Sequence, residues 1–406
     1  MKARLLLTAQ TPLSMRAGRE REQAGTLSYI PGTVLLGALA FAHTVLRPGQ
    51  HDEFAEFFLR GNVWFGNLYP ANFEHPDLAD DTQPVYPVPH TAYTCKRFPG
   101  FLFGADQERD PRHGVWDHLI PWALFVLSGG EYTDLLDANK QCRYPGCNEG
   151  VDRADGFYRR GLGASQIGKA EIRKGIRTRT GISRLTGVAA EGILYSREVL
   201  HEDSRFWGTL TVATPDLEKT LQNFVEEAAW EGLLRLGNNR TRGFGRAIIS
   251  QFRFYQEEIA NDLAERARAF NTKLQTAAKT AGIIVPHPFY LPITLVSDAI
   301  LYDQLLRYQL QLTGDYLNRV WGIPGAELIY QNAGRRQVTG WNELWGLPKA
   351  DEWAISMGSV FLFGLLAEPD FEVLARAQRE GMGARRREGF GQVRVADPFH
   401  QEVSPL

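Results

Sequence analysis

The sequence predicts an α+β protein in which one strand–helix–glycine-loop–strand unit occurs twice. Two glycine-rich loops, residues 237–246 and 383–392, align without a gap, with glycine first, arginine fourth and Gly-Phe-Gly at the seventh to ninth positions. An apolar run and a Pro-Asp helix start precede each loop, and a second apolar run follows it. Matching elements in the same order indicate a duplicated fold unit.

The first element is a strand over residues 2–10, which alternates in polarity and then becomes apolar. A basic loop with Arg16 and Arg19 follows it, and Pro31 then begins a helix whose continuous apolar residues predict burial. The first N–H groups of a helix have no partner within the helix. We therefore expect an anion site where this helix faces the basic loop.

Residues 50–175 are predicted to form an insertion, because proline, glycine and aromatic residues occur there without a sustained helical period. All cysteines of the chain lie in it: Cys95, Cys142 and Cys147. The Pro-Gly turn between the last two lets two thiolates face one ion, and zinc prefers four N or S ligands. We predict a structural zinc site with His113 as the fourth ligand and His118 as the next candidate. The alternative is a packed insertion with reduced cysteines.

Residues 172–198 are predicted to form a long basic β-hairpin, since threonines, isoleucines and arginines alternate around Thr186-Gly187. Its candidate phosphate contacts are Arg177, Arg179 and Arg184. The net charge of the whole chain is only −2, so this concentrated basic stripe would hold one polyanion in one place. The alternative is an edge hairpin whose charges prevent sheet-to-sheet pairing.

The glycine-rich loops are candidate anion sites, because glycine lets backbone N–H groups approach a phosphate closely and arginine suits a polyanion. Phe244 and Phe390 are predicted to stack on bases. The candidate RNA-binding residues of the loops are Arg235, Asn239, Arg240, Arg242, Phe244, Arg246, Arg385, Arg386 and Arg387. A Walker loop needs Lys-Ser/Thr after its glycines, which both loops lack. The alternative is a pair of tight turns with solvated arginines.

The second half of the chain begins after a predicted solvated helix, rich in Ala, Glu, Lys, Arg and Leu, that ends before Gly282. We predict an N-terminal domain over residues 1–255, a linker helix over 256–282 and a C-terminal domain over 283–406. The aromatic-rich region from Trp321 to Trp345 is the candidate counterpart of the basic hairpin.

Composition agrees with two globular domains, since the chain has 406 residues, 44% of them hydrophobic and 11% aromatic. No charged-then-apolar secretory leader and no apolar run of membrane-span length occurs, so we expect a cytoplasmic protein. Three cysteines do not make a disulfide framework, which fits a reducing compartment.

Taken together, the motifs resemble the RAMP superfamily of CRISPR-associated proteins. The resemblance rests on the order of the first strand, the Tyr29-Ile30-Pro31-Gly32 helix start, the basic hairpin and the glycine-rich loop. The Phe65-Gly66-Asn67-Leu68-Tyr69-Pro70 element and the cysteine placement are most similar to the Csx-ten subfamily of subtype III-D. This resemblance implies tandem ferredoxin-like (RRM-like) RAMP domains and a hairpin that serves as a thumb along the guide RNA.

The resemblance also implies a function. The chain would bind and cap the repeat-derived 5′ tag of the guide RNA, in an effector complex with a large polymerase-like subunit and backbone RAMP subunits. RAMP subunits that slice target RNA carry an aspartate before the Tyr-Ile-Pro-Gly helix, whereas residues 12–28 contain Glu20 and Glu22 and no aspartate.

We therefore predict RNA binding without nuclease activity. No set of histidine, tyrosine and lysine suggests 2′-hydroxyl attack, and His43 on an apolar helix is expected to be a packed core residue. The alternatives are an endoribonuclease that processes precursor guide RNA or slices target RNA, and a nucleotide-binding regulatory protein.

Overall fold

The computed structural model describes residues 1–16, 25–75, 78–102, 111–132, 141–161, 166–182, 188–255, 259–342 and 346–403. All named strands in this part of the chain pair antiparallel, and the chain combines them with helices, so the predicted α+β class is confirmed. Within the same residues, no helix is both long and apolar enough to cross a membrane.

The helices of the described chain are Gly32–Leu46 (α1), His51–Phe58 (α2), Leu119–Leu127 (α3), Leu217–Trp230 (α4), Ile259–Thr280 (α5), Gly314–Trp321 (α6), Phe371–Glu380 (α7) and Phe399–Glu402 (α8). Its strands are Lys2–Ala9 (β1), Val63–Pro70 (β2), Val85–Pro87 (β3), Ala92–Cys95 (β4), Val115–Asp117 (β5), Val151–Arg153 (β6), Phe157–Arg160 (β7), Ile167–Lys169 (β8), Lys174–Ile182 (β9), Ala189–Leu200 (β10), Arg205–Val212 (β11), Ala247–Tyr255 (β12), Phe289–Leu295 (β13), Glu327–Asn332 (β14), Arg335–Val338 (β15), Trp341–Asn342 (β16), Leu347–Pro348 (β17), Glu352–Ile355 (β18), Val360–Leu365 (β19) and Val393–Val395 (β20).

The chain forms two units. Unit 1 comprises Met1–Glu74 and Ala170–Gln256, and unit 2 comprises His75–Lys169 and Glu257–Leu406. These boundaries differ from the predicted ones. Residues 75–169 belong to unit 2 rather than to an insertion within the N-terminal domain, and the predicted linker helix, α5, is also part of unit 2.

Unit 1 is built on a four-stranded sheet with the order β12-β1-β11-β2, in which α1 follows β1 and α4 follows β11. Numbered by their place in the chain, the strands lie in the order 4-1-3-2, which is consistent with a ferredoxin-like β-α-β-β-α-β unit. Alternate residues of β1, such as Leu5 and Leu7, are fully buried with Leu39 of α1 and Phe224 of α4. Period-two alternation thus places one face of β1 in the core.

Unit 2 contains a second sheet of the same strand order, β14-β19-β13-β20, with α6 after β13 and α7 after β19. Its core includes Leu291 and Ile293 of β13, Phe361 and Phe363 of β19, and Leu374 of α7. All seven residues of β13 are buried, because helices and further strands cover both of its faces.

Residues 75–169 join unit 2 because their apolar side chains are buried there. Leu119 and Leu124 of α3 pack with Phe270 of α5 and Leu362 of β19 in one core cluster. Two small three-stranded sheets, β3-β7-β8 and β5-β4-β6, complete this segment. A helix that is apolar on most sides, as α3 is, requires burial on most sides, and the second half of the chain supplies it.

Candidate nucleic-acid interface and metal site

The first glycine-rich loop wraps the segment that leaves β1. The backbone N–H of Asn238 donates to Ser14 O at 2.9 Å, and that of Gly245 donates to Pro12 O at 3.0 Å. A Cβ atom on Gly237 would lie 2.4 Å from Ser14 O, so the close approach requires glycine. Both amides are used within the protein. The predicted phosphate cradle of backbone N–H groups is therefore not formed by them.

The second loop has the same backbone. In each loop a single 3₁₀ turn lies between two residues with positive φ, Asn239 (61°) and Gly243 (81°) in the first, and Arg385 (56°) and Gly389 (93°) in the second. The N–H of Ala384 donates to the segment leaving β13, as that of Asn238 does to the segment leaving β1. The glycines therefore fix a turn, and any difference in binding must come from side chains.

The basic hairpin β9–β10 meets the first loop through arginine and aromatic side chains. The guanidinium carbon of Arg179 lies 4.4 Å from the ring centroid of Phe244, within cation–π distance. Arg179 Nη1 also donates to the backbone O of Arg242 at 2.8 Å. Arg242 Nη1 in turn donates to the hydroxyl of Tyr195 at 3.1 Å. The predicted hairpin residues and loop residues thus form one cluster.

Strand register explains why these side chains share a face. Arg179 pairs with Tyr195 and Arg177 pairs with Arg197 across the hairpin, and directly paired residues of an antiparallel ladder lie on the same side. With the Asn239 amide turned so that its oxygen faces the donors, that oxygen accepts from Arg197 Nη1 at 3.2 Å. We call the set Arg177, Arg179, Tyr195, Arg197, Arg240 and Arg242 the arginine surface.

Three arginines of this surface have neutral partners among the described residues. Among the described residues, no carboxylate lies within ion-pair distance of Arg179, Arg197 or Arg242. Arg177 approaches Glu202 at 3.4 Å, but both side chains are about half exposed, where such pairs contribute little. Guanidinium groups fixed by neutral partners retain their attraction for a polyanion.

Phe244 does not have the role predicted for it. Its side chain is only 5% exposed and lies beneath Arg179, so it supports a guanidinium group instead of stacking on a base. The half-buried ring of Tyr195, which is absent from the residues predicted from sequence, is the aromatic group of this surface. Period-two alternation across the hairpin was the signal that could have identified Tyr195 and Arg197.

The remaining predicted residues of unit 1 are not among the contacts that define this surface. Arg235 Nη1 donates to the backbone O of Gly232 at 2.8 Å at the end of α4, and burial lowers the pKa of Arg235. Arg246 and Arg16 are exposed. Arg19 and Arg184 lie outside the described residues.

In the second glycine-rich loop, carboxylates compensate the charge of Arg385. Arg385 is paired with Glu352 of β18 and with Glu388 at 2.7 Å, and its guanidinium carbon lies 4.7 Å from the Phe390 ring centroid. Burial would raise the pKa of Glu388, but Arg385 and Lys349 together outweigh it and hold that pKa below its ordinary value. Glu388 occupies the position of Arg242.

Other predicted arginines of the second loop differ in exposure. Arg386 lies 4.0 Å from Glu380, and Arg387 is exposed. Lys349 also approaches Glu388, at 3.5 Å. Arg385 is thus neutralised by its own unit, which distinguishes the second loop from the first.

The helix start also differs from expectation. The N–H of Gly32 donates to Asn67 Oδ1 at 2.8 Å, and Ile30 pairs with Leu68 of β2. The Tyr-Ile-Pro-Gly and Phe-Gly-Asn-Leu-Tyr-Pro motifs are therefore one structural unit, in which Asn67 satisfies a helix N–H group. The anion site expected at this helix start is not open at Gly32.

The predicted metal ligands come together in unit 2. One ligand atom from each of Cys95, His113, Cys142 and Cys147 lies within 4.8 Å of the others. The Sγ atoms of Cys95 and Cys147 are 4.0 Å apart, and His113 Nδ1 lies 3.3 Å from Cys142 Sγ. Tetrahedral zinc, with bonds of about 2.0–2.3 Å, separates its ligand atoms by roughly 3.3–3.8 Å. The four residues fit such an ion.

Neighbouring groups fix these ligands. The His113 ring lies between Tyr144 and Phe98, with centroid distances of 4.1 and 4.4 Å. Burial acts to raise the pKa of Cys95, but the backbone amides of Phe98 and Arg97 lower it below the ordinary value. Amides that donate to a sulfur stabilise its thiolate form, which is the form that binds metal.

His118, the alternative ligand, is not in this group. Its ring stacks on Tyr93 at 4.9 Å and is buried. The fourth position therefore belongs to His113 in the described site.

Comparisons with known proteins find similarity only among solved structures. No protein-family model and no curated protein matches the chain. A type III-B Cmr-beta structure bound to cognate target RNA and AMPPnP has 12% identity and a TM-score of 0.41, covering 88% of this chain and 86% of the other. A Cas6 product complex has 10% identity and a TM-score of 0.38, covering 97% and 98%. Such low identities and TM-scores do not assign the chain to a family.

Proposed function

We propose that this chain is an RNA-binding subunit of a CRISPR effector complex and that the arginine surface of unit 1 holds one RNA strand. The observation that carries the proposal is the Arg179–Phe244 and Arg242–Tyr195 arrangement, which fixes two guanidinium groups without neutralising them. The planar guanidinium group of arginine presents N–H donors that match phosphate geometry, and a base can stack on a tyrosine ring.

A strand of RNA suits this surface better than a single nucleotide. Arg177 and Arg179 lie on one face two residues apart, a spacing of about 7 Å along a strand, so each can meet a different phosphate. The cavities at Leu310 to Arg335 and at Val225 to Arg253 are lined by none of these residues. An open row of cations favours a polyanion over a small phosphate ligand.

The sequence resemblance supports a more specific assignment. We propose tandem ferredoxin-like RAMP domains of the Csx-ten type, and the bound strand would be the repeat-derived 5′ tag of the guide RNA in a subtype III-D complex. The shared 4-1-3-2 strand order of the two sheets supports the duplication. The partners would be the large polymerase-like subunit and backbone RAMP subunits.

We further propose that the chain binds RNA without cutting it. His43 is 1% exposed, hydrogen-bonds Glu53 at 2.9 Å and lies among phenylalanine rings that include Phe57 and Phe224, so it has no route to a substrate. Glu20 and Glu22 lie outside the described residues. The alternative activity is endonucleolytic processing of precursor guide RNA.

The metal proposed for the four-ligand group is zinc. Three thiolates and one imidazole form a soft donor set that selects zinc over magnesium or calcium. All ligand positions are supplied by the protein, so the ion would be structural and would fix the turn that carries Cys142 and Cys147.

The proposed function is tested with the purified chain and fluorescein-labelled guide RNA that carries the 5′ tag. We expect saturable binding by fluorescence anisotropy that unlabelled tag RNA displaces and that ATP or GTP does not. Incubation with a radiolabelled precursor transcript should leave it intact on a denaturing gel. Specific cleavage products would instead establish the processing endoribonuclease, and displacement by a mononucleotide at similar concentration would support the regulatory alternative.

A further inference from the structure

One edge of the unit 1 sheet borders a cavity. β12 is the outer strand in the order β12-β1-β11-β2, and among the described residues it pairs only with β1. A cavity of about 420 Å³ lies between this strand and α4. It is lined by Val225, Glu226, Ala229 and Trp230 of α4 and by residues 248–253 of β12. Successive side chains of a strand alternate between its two faces, so a cavity lined by consecutive residues borders the edge of the strand, where the backbone lies.

The backbone along this edge is available for pairing. At the start of β12, the N–H of Ala247 donates to Leu234 O at 3.3 Å. From residue 248 to residue 253, the backbone groups bond only to β1 within the part of the chain that the structure describes. In an antiparallel ladder, every second residue points its N–H and C=O groups away from its neighbour. Such groups on an edge strand pair with the backbone of another extended segment.

One face of this edge carries two arginines without a counter-charge. Arg253 of β12 lies directly opposite Arg4 of β1, so their side chains share a face. The guanidinium carbon of Arg4 lies 5.2 Å from the Tyr255 ring centroid, its Nε has no hydrogen-bond partner, and no described carboxylate forms an ion pair with either arginine. Like charges directly opposite each other destabilise a sheet. A carboxylate placed beside Arg253 by an added strand would relieve this repulsion.

The opposite face of the same edge is apolar and carries an exposed tryptophan. Ile249 and Phe252 of β12 are buried in the core of unit 1 with Val225 and Ala228 of α4. Trp230, the last residue of α4, is 88% exposed and lines the cavity. Tryptophan is enriched at protein–protein interfaces relative to the rest of the surface. An apolar side chain on an added strand would cover this ring.

We propose that the β12 edge binds an extended segment of another protein as an added strand of the unit 1 sheet. The segment alternates, with apolar side chains toward Trp230 and acidic side chains toward Arg253 and Arg4. A second copy of this chain does not fit, because antiparallel pairing of two β12 strands about a two-fold axis would place the arginines of both copies on one face. The proposal rests on the proposed function only in expecting that protein among the subunits of the same complex.

Photo-cross-linking in the full chain identifies the segment. Trp230→p-benzoylphenylalanine, expressed with an affinity tag in the native host, is irradiated, and the adduct peptide is sequenced by mass spectrometry. Trp353→p-benzoylphenylalanine is the matched control, since Trp353 is an exposed tryptophan of unit 2. We expect position 230, and not position 353, to give one predominant adduct with a protein segment that alternates apolar and acidic residues. An adduct with RNA or with a second copy of this chain, a segment without that alternation, or no adduct would overturn the proposal.

A synthetic peptide with the cross-linked sequence tests the strand pairing. Hydrogen–deuterium exchange of the full chain is followed by mass spectrometry with and without the peptide. We expect the peptide to slow exchange over residues 248–253, because the outward N–H groups of the edge then donate to its backbone. Unchanged exchange over these residues would show that the segment does not extend the sheet.

Charge exchange separates specific pairing from a loss of folding. Arg253→Glu replaces an exposed side chain and removes the repulsion with Arg4, so Tm should be unchanged or higher. We expect it to raise Kd for the acidic peptide about tenfold or more, whereas a peptide with lysines in place of the acids should bind Arg253→Glu more tightly than the wild type. Trp230→Ala should also raise Kd, and Trp353→Ala should not. Equal affinities of both peptides for both chains would refute the charge pairing.

Binding of tag RNA by the same preparations distinguishes this proposal from the proposed function. RNA affinity should be equal in the wild type and in Trp230→Ala. If the wild-type chain does not bind tag RNA, the proposed function fails, while slowed exchange over residues 248–253 and the reversed peptide preference still support the added strand. If the chain binds tag RNA but position 230 gives no protein adduct, only the added strand is refuted.

Discussion

Arg179 and Arg385 each lie over the phenylalanine of a Gly-Phe-Gly loop, but their hydrogen-bond partners differ in charge. Arg179 hydrogen-bonds a backbone carbonyl, whereas Arg385 is held by Glu352 and Glu388. A guanidinium bound to a neutral oxygen keeps its net charge for a ligand, and one bound to carboxylates is satisfied. Individual partners therefore decide which of the two guanidinium groups keeps a positive charge available to an anion.

Variants of Tyr195 can distinguish the contribution of base stacking to RNA affinity from that of electrostatic attraction. We predict that Tyr195→Ala weakens tag-RNA binding by about 1–3 kcal/mol, the range for loss of one base stack, without changing the slope of log Kd against log salt. Tyr195→Phe keeps the ring and loses only the hydrogen bond to Arg242, so it should bind nearly as tightly as the wild type. Anisotropy titrations at several salt concentrations measure both quantities. Equal weakening in the two variants would mean that the hydroxyl, not the ring, matters.

The sequence predicted Arg177, Arg179 and Arg242 as RNA contacts because arginines in segments with few acids stand out in the composition, and the structure brings Arg179 and Arg242 together. The sequence could not place Phe244 under Arg179, since that contact joins residues far apart in the chain. Nor did it include Arg197, whose role follows from its register opposite Arg177.

At the scale of elements, the glycine loops act first as turns. Gly237 has φ of +73° and its Cβ would lie 2.4 Å from Ser14 O, whereas Gly243, with φ of +81°, would meet nothing within 4 Å. A side chain at Gly237 would therefore cause both backbone strain and a clash, whereas a side chain at Gly243 would cause strain alone.

We predict that Gly243→Ala costs about 1–2 kcal/mol of unfolding free energy, the left-handed penalty of one residue, and that Gly237→Ala costs more. Gly243→Val should damage folding and RNA binding together, because a β-branched residue is disfavoured at positive φ. Urea unfolding of each variant gives the order. A smaller cost for Gly237→Ala than for Gly243→Ala would contradict the wrapped-loop geometry.

The metal-binding turn is a second element whose role can be measured. We predict one zinc ion per chain by elemental mass analysis after native purification, because four soft ligands meet in the structure. Cys142→Ser should lose the ion and lower Tm, since metal binding to a site absent from the unfolded chain stabilises the fold.

His118→Gln is the control for this experiment. Its ring lies outside the ligand group, so zinc content should remain at one per chain. Substoichiometric zinc in the wild type, or full zinc in Cys142→Ser, would rule out the structural zinc site.

For the whole molecule, the sequence correctly predicted an α+β protein, because glycines, prolines and apolar periods are local signals. The division into units differed, since it depends on where the side chains of α3 and α8 are buried. A burial partner more than a hundred residues away in the chain cannot be read from the local sequence pattern. The same limit applies to the polar network around His400.

That network predicts how the stability of unit 2 depends on pH. His400 is fully buried; burial acts to lower its pKa, but the carboxylates of Asp117, 2.9 Å from Nδ1, and of Asp397 together outweigh it and raise the pKa. A raised folded-state pKa contributes stability that is complete below the unfolded value of about 6.5 and is lost as pH rises through the folded value.

We therefore predict that the unfolding free energy of the wild type falls as pH rises above about 6.5 and that His400→Gln removes this component of the dependence. Urea unfolding, followed by near-ultraviolet circular dichroism across pH 6 to about 9, tests it. The same slope in both proteins would show that His400 does not change its proton affinity on folding.

The salt dependence of tag-RNA binding tests most directly whether the arginine surface holds the RNA strand. Removing one arginine that binds a phosphate should reduce the slope of log K against log salt by about 0.7–0.9. We predict that Arg179→Ala with Arg242→Ala weakens binding and reduces that slope by about 1.4–1.8, while Arg386→Ala with Arg387→Ala, in the second loop, leaves it near the wild-type value. An unchanged slope in the folded first variant, or an equal reduction in the second, would contradict RNA binding by the arginine surface.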